Sequence, residues 1–337
     1  MHPTPTALPE ARPLDTALVT SLVEDATLAP SMHNAQPWSF GFTPATRTFR
    51  LRADRSRAMP QSDPDGRALL IGCAAAVFNL RVAAVHAGWD PVTRLLPDPA
   101  DPDLLAEVEL VRRPPESYDE LAELHPALRR RHTSRAPFRD ERIEDSLLDV
   151  LRRAALLEGA RLAFPDAFHR RTILELSSEA MNREQAEPGH REETARWTEG
   201  PGREDVGEEG IPRYAFGPRS RSGGAPMRDF ESPDDTYVRE WAAFEESPQL
   251  ALLGTAFDHP VDWLRAGQAM ERVLLEATLD GLATSVASQA LEWSDLRWAV
   301  RDPATAMGHV HMVIRLGYGP QGPSTHRRPT GEVLTIG

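Results

Sequence analysis

The chain contains no lysine and a single cysteine, and each shortage narrows what it can be. One cysteine, Cys73, excludes an internal disulfide and a metal site built from cysteines, and it suits a reducing cytoplasm. Its neighbours are apolar (L-L-I-G-C-A-A-A-V-F), so it reads as a buried structural thiol rather than a nucleophile. Arginine carries all the side-chain positive charge, and acids outnumber it to give a net charge of −13. That balance argues against general nucleic-acid binding, which needs a basic surface. No apolar run is expected to approach the roughly 20 residues of a bilayer span. The proline-rich start, M-H-P-T-P-T-A-L-P, lacks the basic and apolar regions of a signal peptide, so a cytoplasmic protein with no membrane partner is expected. Also missing are G-x-G-x-x-G after a strand, H-E-x-x-H and G-x-S-x-G. A separate dinucleotide-binding domain, a metal centre and serine-hydrolase chemistry fall away with them.

What is present describes an α+β protein of 337 residues, long enough for one large domain or two ordinary ones. Apolar periodicity predicts a helix over 14–28, strands over 38–42 and 48–52 joined as a hairpin, and a strand over 107–111. A nearly all-apolar helix is expected over 68–87, too hydrophobic for a surface, with Gly88 as its cap. The second half repeats the grammar. A helix over 143–157, a strand over 160–164, a helix over 172–185, a long apolar helix over 262–281 and a strand over 309–316 are expected. Sliding one half along the other places A-A-V-H-A-G (83–88) on E-A-T-L-D-G (276–281). Between the halves, residues 187–235 are rich in glycine, proline and charge but keep Trp197, Tyr214 and Phe216. A structureless loop of that length is uncommon in a compact domain, and the aromatics favour a functional lid over a disordered linker.

The stretch A-P-S-M-H-N-A-Q-P-W (29–38) organises the rest. Pro30 and Pro37 lack an N–H and fix φ, so the preceding helix must stop there. Between them Ser31, His33, Asn34 and Gln36 offer donors and acceptors on a backbone loop backed by Trp38. Such a loop is a plausible wall for a flat, hydrogen-bonding ligand; on composition alone it is equally a capped turn between helix and strand. A second cluster, R-R-R-H-T-S-R-A-P-F (129–138), sets guanidiniums against the acidic background. Three consecutive arginines also describe a solvated basic face.

A-P-S-x-x-N-x-Q-P-W resembles the flavin-facing loop of the FMN-dependent nitroreductase family. Arg131-His132-Thr133-Ser134-Arg135 resembles the family's phosphate-and-ribityl motif, G-L-A-T (281–284) its turn near the ring, and the terminal H-R-R-P its C-terminal arginine. Each piece occurs once, and they are divided between the halves. The pattern is similar to the Acg-like branch and covers nearly the whole chain. It implies a nitroreductase-like α+β fold in which two tandem halves, 1–120 and 121–337 with the insertion 187–235, mimic the family homodimer within one monomeric chain.

The resemblance further implies FMN held by Pro30, Ser31, His33, Asn34 and Gln36 from the first half. Arg131, His132, Thr133, Arg135, Gly281, Leu282 and Arg327 or Arg328 would hold it from the second. Guanidinium forks suit a phosphate dianion, so Arg131, Arg135 and one terminal arginine are expected to converge on it. His132 and Thr133 can donate to phosphate or ribityl oxygens, and the same histidine could be a surface helix cap. Gly281 permits close backbone approach to a ring and equally describes an ordinary helix C-cap. One departure stands out: Thr325 or His326 occupies a position that is strongly basic in the family. No protein nucleophile or general acid is required, because flavin N5 carries the chemistry. The implied function is electron transfer, with NAD(P)H as possible donor, to a small acceptor such as a nitro or quinone compound. The alternative is a flavin-sequestering or stress-related protein whose lid excludes the nicotinamide.

Overall fold

A computed structural model describes residues 12–113, 119–199, 207–226, 228–230, 238–302, 305 and 307–337. Helix α1 (Thr16–Ala26) begins at Asp15, whose carboxylate accepts from Leu18 N at 2.8 Å, and it ends as the chain turns toward Pro30. Strands β1 (Trp38–Thr43) and β2 (Thr48–Ala53) form the expected antiparallel hairpin. Trp38, Phe40 and Phe42 alternate inward from β1, while Arg50 and Arg52 of β2 face outward to pair with Glu107 and Asp101. Helix α2 (Arg67–His86) follows, its first turn capped by Asp63, which accepts from Ala68 N and Leu69 N at 2.9 Å each. Strands β3 (Trp89–Leu95) and β4 (Leu104–Arg112) complete this part of the chain.

After a short helix α3 (His125–Leu128) come α4 (Asp145–Leu157), strand β5 (Arg161–Ala163), α5 (Ala167–Ala186) and α6 (Pro188–Arg196). Strands β6 (Arg219–Ser222) and β7 (Trp241–Ala243) pair with each other. Then follow β8 (Gln249–Thr255), α7 (Pro260–Leu279), β9 (Ala283–Ala287), α8 (Ser294–Val300), β10 (His309–Gly317), α9 (Thr330–Val333) and β11 (Leu334–Ile336). One sheet runs β11-β1-β2-β4-β3 and another β5-β8-β10-β9. The C-terminal β11 crosses to the first sheet and lies parallel to β1, with Phe40 opposite Leu334. Strands β3, β6, β7, β8, β9 and β11 were not expected from the sequence. Residues 249–255 (Q-L-A-L-L-G-T) are buried on both faces, so no polar alternation marks them.

Helices α2 and α7 pack against each other between the sheets and form the centre of the core. Contact is backbone-close: a Cβ on Gly267 of α7 would lie 2.3 Å from Ile71 O and 2.7 Å from Ala74 Cβ. Here the expectation about apolar runs needs correction. Helix α2 has the 20-residue length and the apolarity to cross a bilayer, yet its apolar window is 94% buried within the protein. Its hydrophobicity is that of a central core helix. Cys73 is fully buried on it and donates to Pro37 O at 3.0 Å, and burial pushes its thiol far above the usual range.

The arginine-rich stretch after α3 is tied to the second sheet. Ser134 N donates to Thr284 O at 2.8 Å, and Ser134 Oγ donates to Pro320 O at 2.7 Å. Buried Arg315 of β10 reaches Ala136 O at 3.1 Å, forks onto Glu245 at 2.5 and 2.7 Å, and lies 3.6 Å from the centre of the Phe138 ring. Glu245 in turn accepts from Phe138 N at 3.0 Å. Arg315→Met is expected to strand the Glu245 carboxylate and to cost about 3–5 kcal/mol, read as a lowered denaturant midpoint.

Candidate functional site

A cleft of about 1120 Å³, mouth included, opens where the 30–37 loop, the arginine stretch and the 207–230 segment meet. Its floor comes from Ala68, Ile71 and Gly72 of α2, Met270 of α7, Val286 of β9 and Met312 of β10. Gly72 allows the loop to sit on the helix, since a Cβ there would already be 3.2 Å from Ser31 Cβ.

The loop is strained and clamped. His33, Asn34 and Gln36 have φ of 47°, 56° and 51°, left-handed conformations that side-chain-bearing residues rarely adopt. Ser31 Oγ accepts from Gln36 N at 2.9 Å, closing the turn. Asn34 Nδ2 donates to Gly210 O at 3.1 Å and to His326 O at 3.2 Å. Gln36 Nε2 donates to Glu208 O at 2.7 Å, while its Oε1 accepts from Arg328 N at 2.9 Å. The C-terminal segment and the insertion thus hold a shape the loop would not keep alone.

Positive charge gathers in two groups. At one, Arg327 donates to Thr27 O at 2.7 Å, Leu28 O at 3.1 Å and Asn34 Oδ1 at 3.1 Å, so it caps the end of α1 and braces the loop. Arg131 Nη2 donates to Leu28 O at 2.9 Å, and its Nε stands 3.4 Å from Glu271 Oε1. Burial and the Arg131 charge push Arg327 down to about 9, a sign of cations crowded together. Burial, Arg131 and Arg327 push His132 down to about 4, leaving a neutral imidazole at pH 7.

The other group holds Arg135, Arg228, His33 and Phe230. Arg135 lies 5.0 Å from the Phe230 ring centre and donates to Ala215 O at 2.9 Å; burial and then Arg228 push it down to about 10. The His33 ring meets Phe230 edge-on at 5.8 Å, and both its nitrogens are buried without a hydrogen-bond partner. Burial, Arg228 and Arg135 hold His33 well below the usual histidine range. Arg228 is neutralised by Glu184 at 2.9 Å and by Glu292. Among the described residues, Arg135 and Arg327 form no ion pair with a carboxylate. Two half-buried cations with no carboxylate in ion-pair contact among the described residues equip the cleft for an elongated anionic ligand.

Of the residues expected from the sequence, Pro30, Ser31, His33, Asn34, Arg131, His132, Thr133, Arg135 and Arg327 line this cleft together. Gln36 lies behind the loop as a clamp, and Arg328 turns away toward Gln36 O and Trp38 O, near Asp54. Arg135 groups with Arg228 rather than joining Arg131 and Arg327. Gly281 and Leu282 do not line the cleft. Gly281 has φ of 78° with open space around its missing Cβ, the geometry of a helix C-cap, and Leu282 is core. The wall expected there is built a few residues later, by Ser285, Val286, Ser288 and Gln289. Sequence reasoning also missed Arg228, Phe230 and Met270. Charge and aromatics in the insertion were the only signal for the first two, and nothing marked Met270.

No family model matches the chain. Three proteins of Mycobacterium tuberculosis align with almost all of it. The "Uncharacterized protein Rv3127" is 30% identical over 321 residues, 92% of this chain and 91% of its own length. The "Putative NAD(P)H nitroreductase Rv3131" is 28% identical over 325 residues, covering 95% and 92%. The "Putative NAD(P)H nitroreductase acg" is 29% identical over 331 residues, covering 95% and 96%. Among solved structures, a "putative nitroreductase" from Anabaena variabilis superimposes over 95% of this chain and 93% of its own, at a TM-score of 0.45 and 10% identity. With relatives at this identity aligned from end to end, the chain belongs to the nitroreductase family, in the branch that contains Acg.

Proposed function

We propose that the protein is an FMN-dependent oxidoreductase that passes electrons from NAD(P)H to a small acceptor such as a nitro or quinone compound. The observation that carries this reading is the cleft itself. The strained Ser31–Asn34 loop faces a set of cationic side chains, two of them with no carboxylate in ion-pair contact among the described residues. The residues fit the cofactor. Arg131 and Arg327, with neutral His132 and the Thr133 hydroxyl as donors, suit a phosphate ester and the polyol beside it. Ile71, Gly72, Met270 and Val286 offer an apolar surface for a flat ring, and the unpartnered nitrogens of His33 suit a polar ring edge. When bound, FMN supplies the two-electron chemistry, while the chain binds, orients and shields it.

Ile211, Ala215, Pro226, Arg228 and Phe230 cover one side of the cleft, which supports a lid role for residues 187–235. Residues 200–206, 227 and 231–235 of that insertion lie outside the described residues. The pairing of α2 with α7, and β11 adding to the first sheet, support two tandem halves acting as one internal pseudo-dimer. A monomer follows from that reading, and light scattering on the purified protein tests its oligomeric state.

Mixing the FMN-loaded protein anaerobically with NADPH, then NADH, in a stopped-flow instrument is expected to bleach the flavin absorbance within seconds. A flavin that stays oxidised with both donors yet bleaches with dithionite would contradict the reductase reading.

A further inference from the structure

Glu271 stands behind the phosphate end of the cleft, and nothing in the proposed electron transfer uses it. It lies on α7, fully buried, and neither carboxylate oxygen closes a hydrogen bond. The Nε of Arg131, 3.4 Å away, is likewise without an acceptor, and Asn79 of α2 faces the carboxylate with its amide atoms unpaired. Among the described residues, the groups acting on Glu271 are Arg131 from the arginine stretch, Asn79 from α2 and Arg327 from the C-terminal segment, with no second carboxylate. Glu271 does not line the cleft, whereas Arg131 and Arg327 do.

A buried carboxylate with only the Asn79 amide beside it, and no well-formed hydrogen bond, keeps its charge chiefly through nearby cations. An incoming phosphate dianion would engage the same two guanidiniums. Two anionic groups would then compete for one pair of cations in a dry compartment, and neutralising the weaker competitor relieves the conflict. We propose that Glu271 is the built-in counter-ion of Arg131 and Arg327 in the apoprotein, and that binding of a phosphate dianion to those arginines drives a solvent proton onto its carboxylate. One O–H bond forms and no other bond changes. Glu271 acts through Arg131 and is thus a positioning residue. Burial, opposed by Arg131, Asn79 and Arg327, pushes Glu271 up to about 7, so the exchange falls near neutral pH.

The inference rests on the flavin reading, and FMN with riboflavin separates the two. Calorimetric titration of the full-length apoprotein with FMN at pH 7.5, in buffers of low and high protonation enthalpy, counts protons taken up. Uptake of roughly 0.5–1 proton per FMN is expected, and affinity should fall about tenfold from pH 7.5 to pH 8.5. The phosphate itself contributes little there, since its second pKa is about 6. Riboflavin, which lacks the phosphate, should bind without proton uptake. Glu271→Gln, a mimic of the protonated side chain, should bind FMN with no uptake and an affinity constant within about twofold over that range. FMN binding by the native protein without proton exchange, or equal uptake with riboflavin, would overturn the inference while leaving the flavin reading intact. Failure of FMN to bind at any pH would overturn both. The native-protein arms need no variant, so absence of uptake there overturns the inference even if Glu271→Gln fails to fold, while the variant separates Glu271 from neighbouring His132 as the proton's site.

Discussion

Arg327→Ala is expected to weaken FMN binding by about a hundredfold, whereas Arg328→Ala changes it by less than about threefold. The sequence offers the two arginines as equals, but the structure separates them. Arg327 lines the cleft beside Arg131, half-buried and without an ion pair among the described residues. Arg328 points at Gln36 O and Trp38 O outside it. Removing Arg327 deletes a charge-assisted contact to the phosphate, typically worth about 1.5–3 kcal/mol, and also releases Thr27 O, Leu28 O and Asn34 Oδ1. Fluorescence titration with FMN and with riboflavin divides these effects. If the loss is mainly that of the phosphate contact, riboflavin affinity changes little; an equal loss for both ligands would assign Arg327 to bracing the loop. Equal effects of the two substitutions on FMN would contradict the placement of the phosphate at Arg131 and Arg327.

The second large effect is expected at the crossing of α2 and α7. Gly267→Val should destabilise the fold by about 3 kcal/mol or more, or leave the protein insoluble, because the helices touch through backbone at that point. A Cβ there would sit 2.3 Å from Ile71 O, a backbone atom that cannot swing aside as a flexible side chain can. The two helices would have to part, and Ala68, Ile71 and Gly72 on one side of the cleft floor would move relative to Met270 on the other. Thermal unfolding reads the stability. A valine variant as stable as the native protein would show that the helix pair tolerates separation. Gly331→Ala is the control: a Cβ there meets nothing within 4 Å, so its effect should stay within about 0.5 kcal/mol.

Much of this protein is legible locally. Periodicity locates α1, α2, α4, α7, β1, β2 and β10 to within a few residues, because each presents a regular apolar face or a continuous buried run bounded by proline, glycine or a capping acid. Two short motifs, A-P-S-M-H-N-A-Q-P-W and R-H-T-S-R, supply nine of the residues that line the cleft, since backbone turns and guanidinium forks are encoded by contiguous residues. Boundaries set by partners are less visible. Strand β9 starts two residues after the Gly281 cap, and a glycine that terminates a helix looks the same in sequence as one that approaches a ligand.

By itself, then, the sequence determined the long helices, the first hairpin, the family and the two motifs that bring loop and cations. Only the tertiary structure decided how the charges are shared. It set Arg327 rather than Arg328 into the cleft, grouped Arg135 with Arg228, and buried Glu271 behind Arg131. Those outcomes depend on where α7, the insertion and the C-terminal segment come to rest, and on which guanidinium finds a carboxylate there. Charge pairing between residues far apart in the chain, such as Arg131 with Glu271, leaves no local period or spacing, so it becomes visible only after the chain has folded.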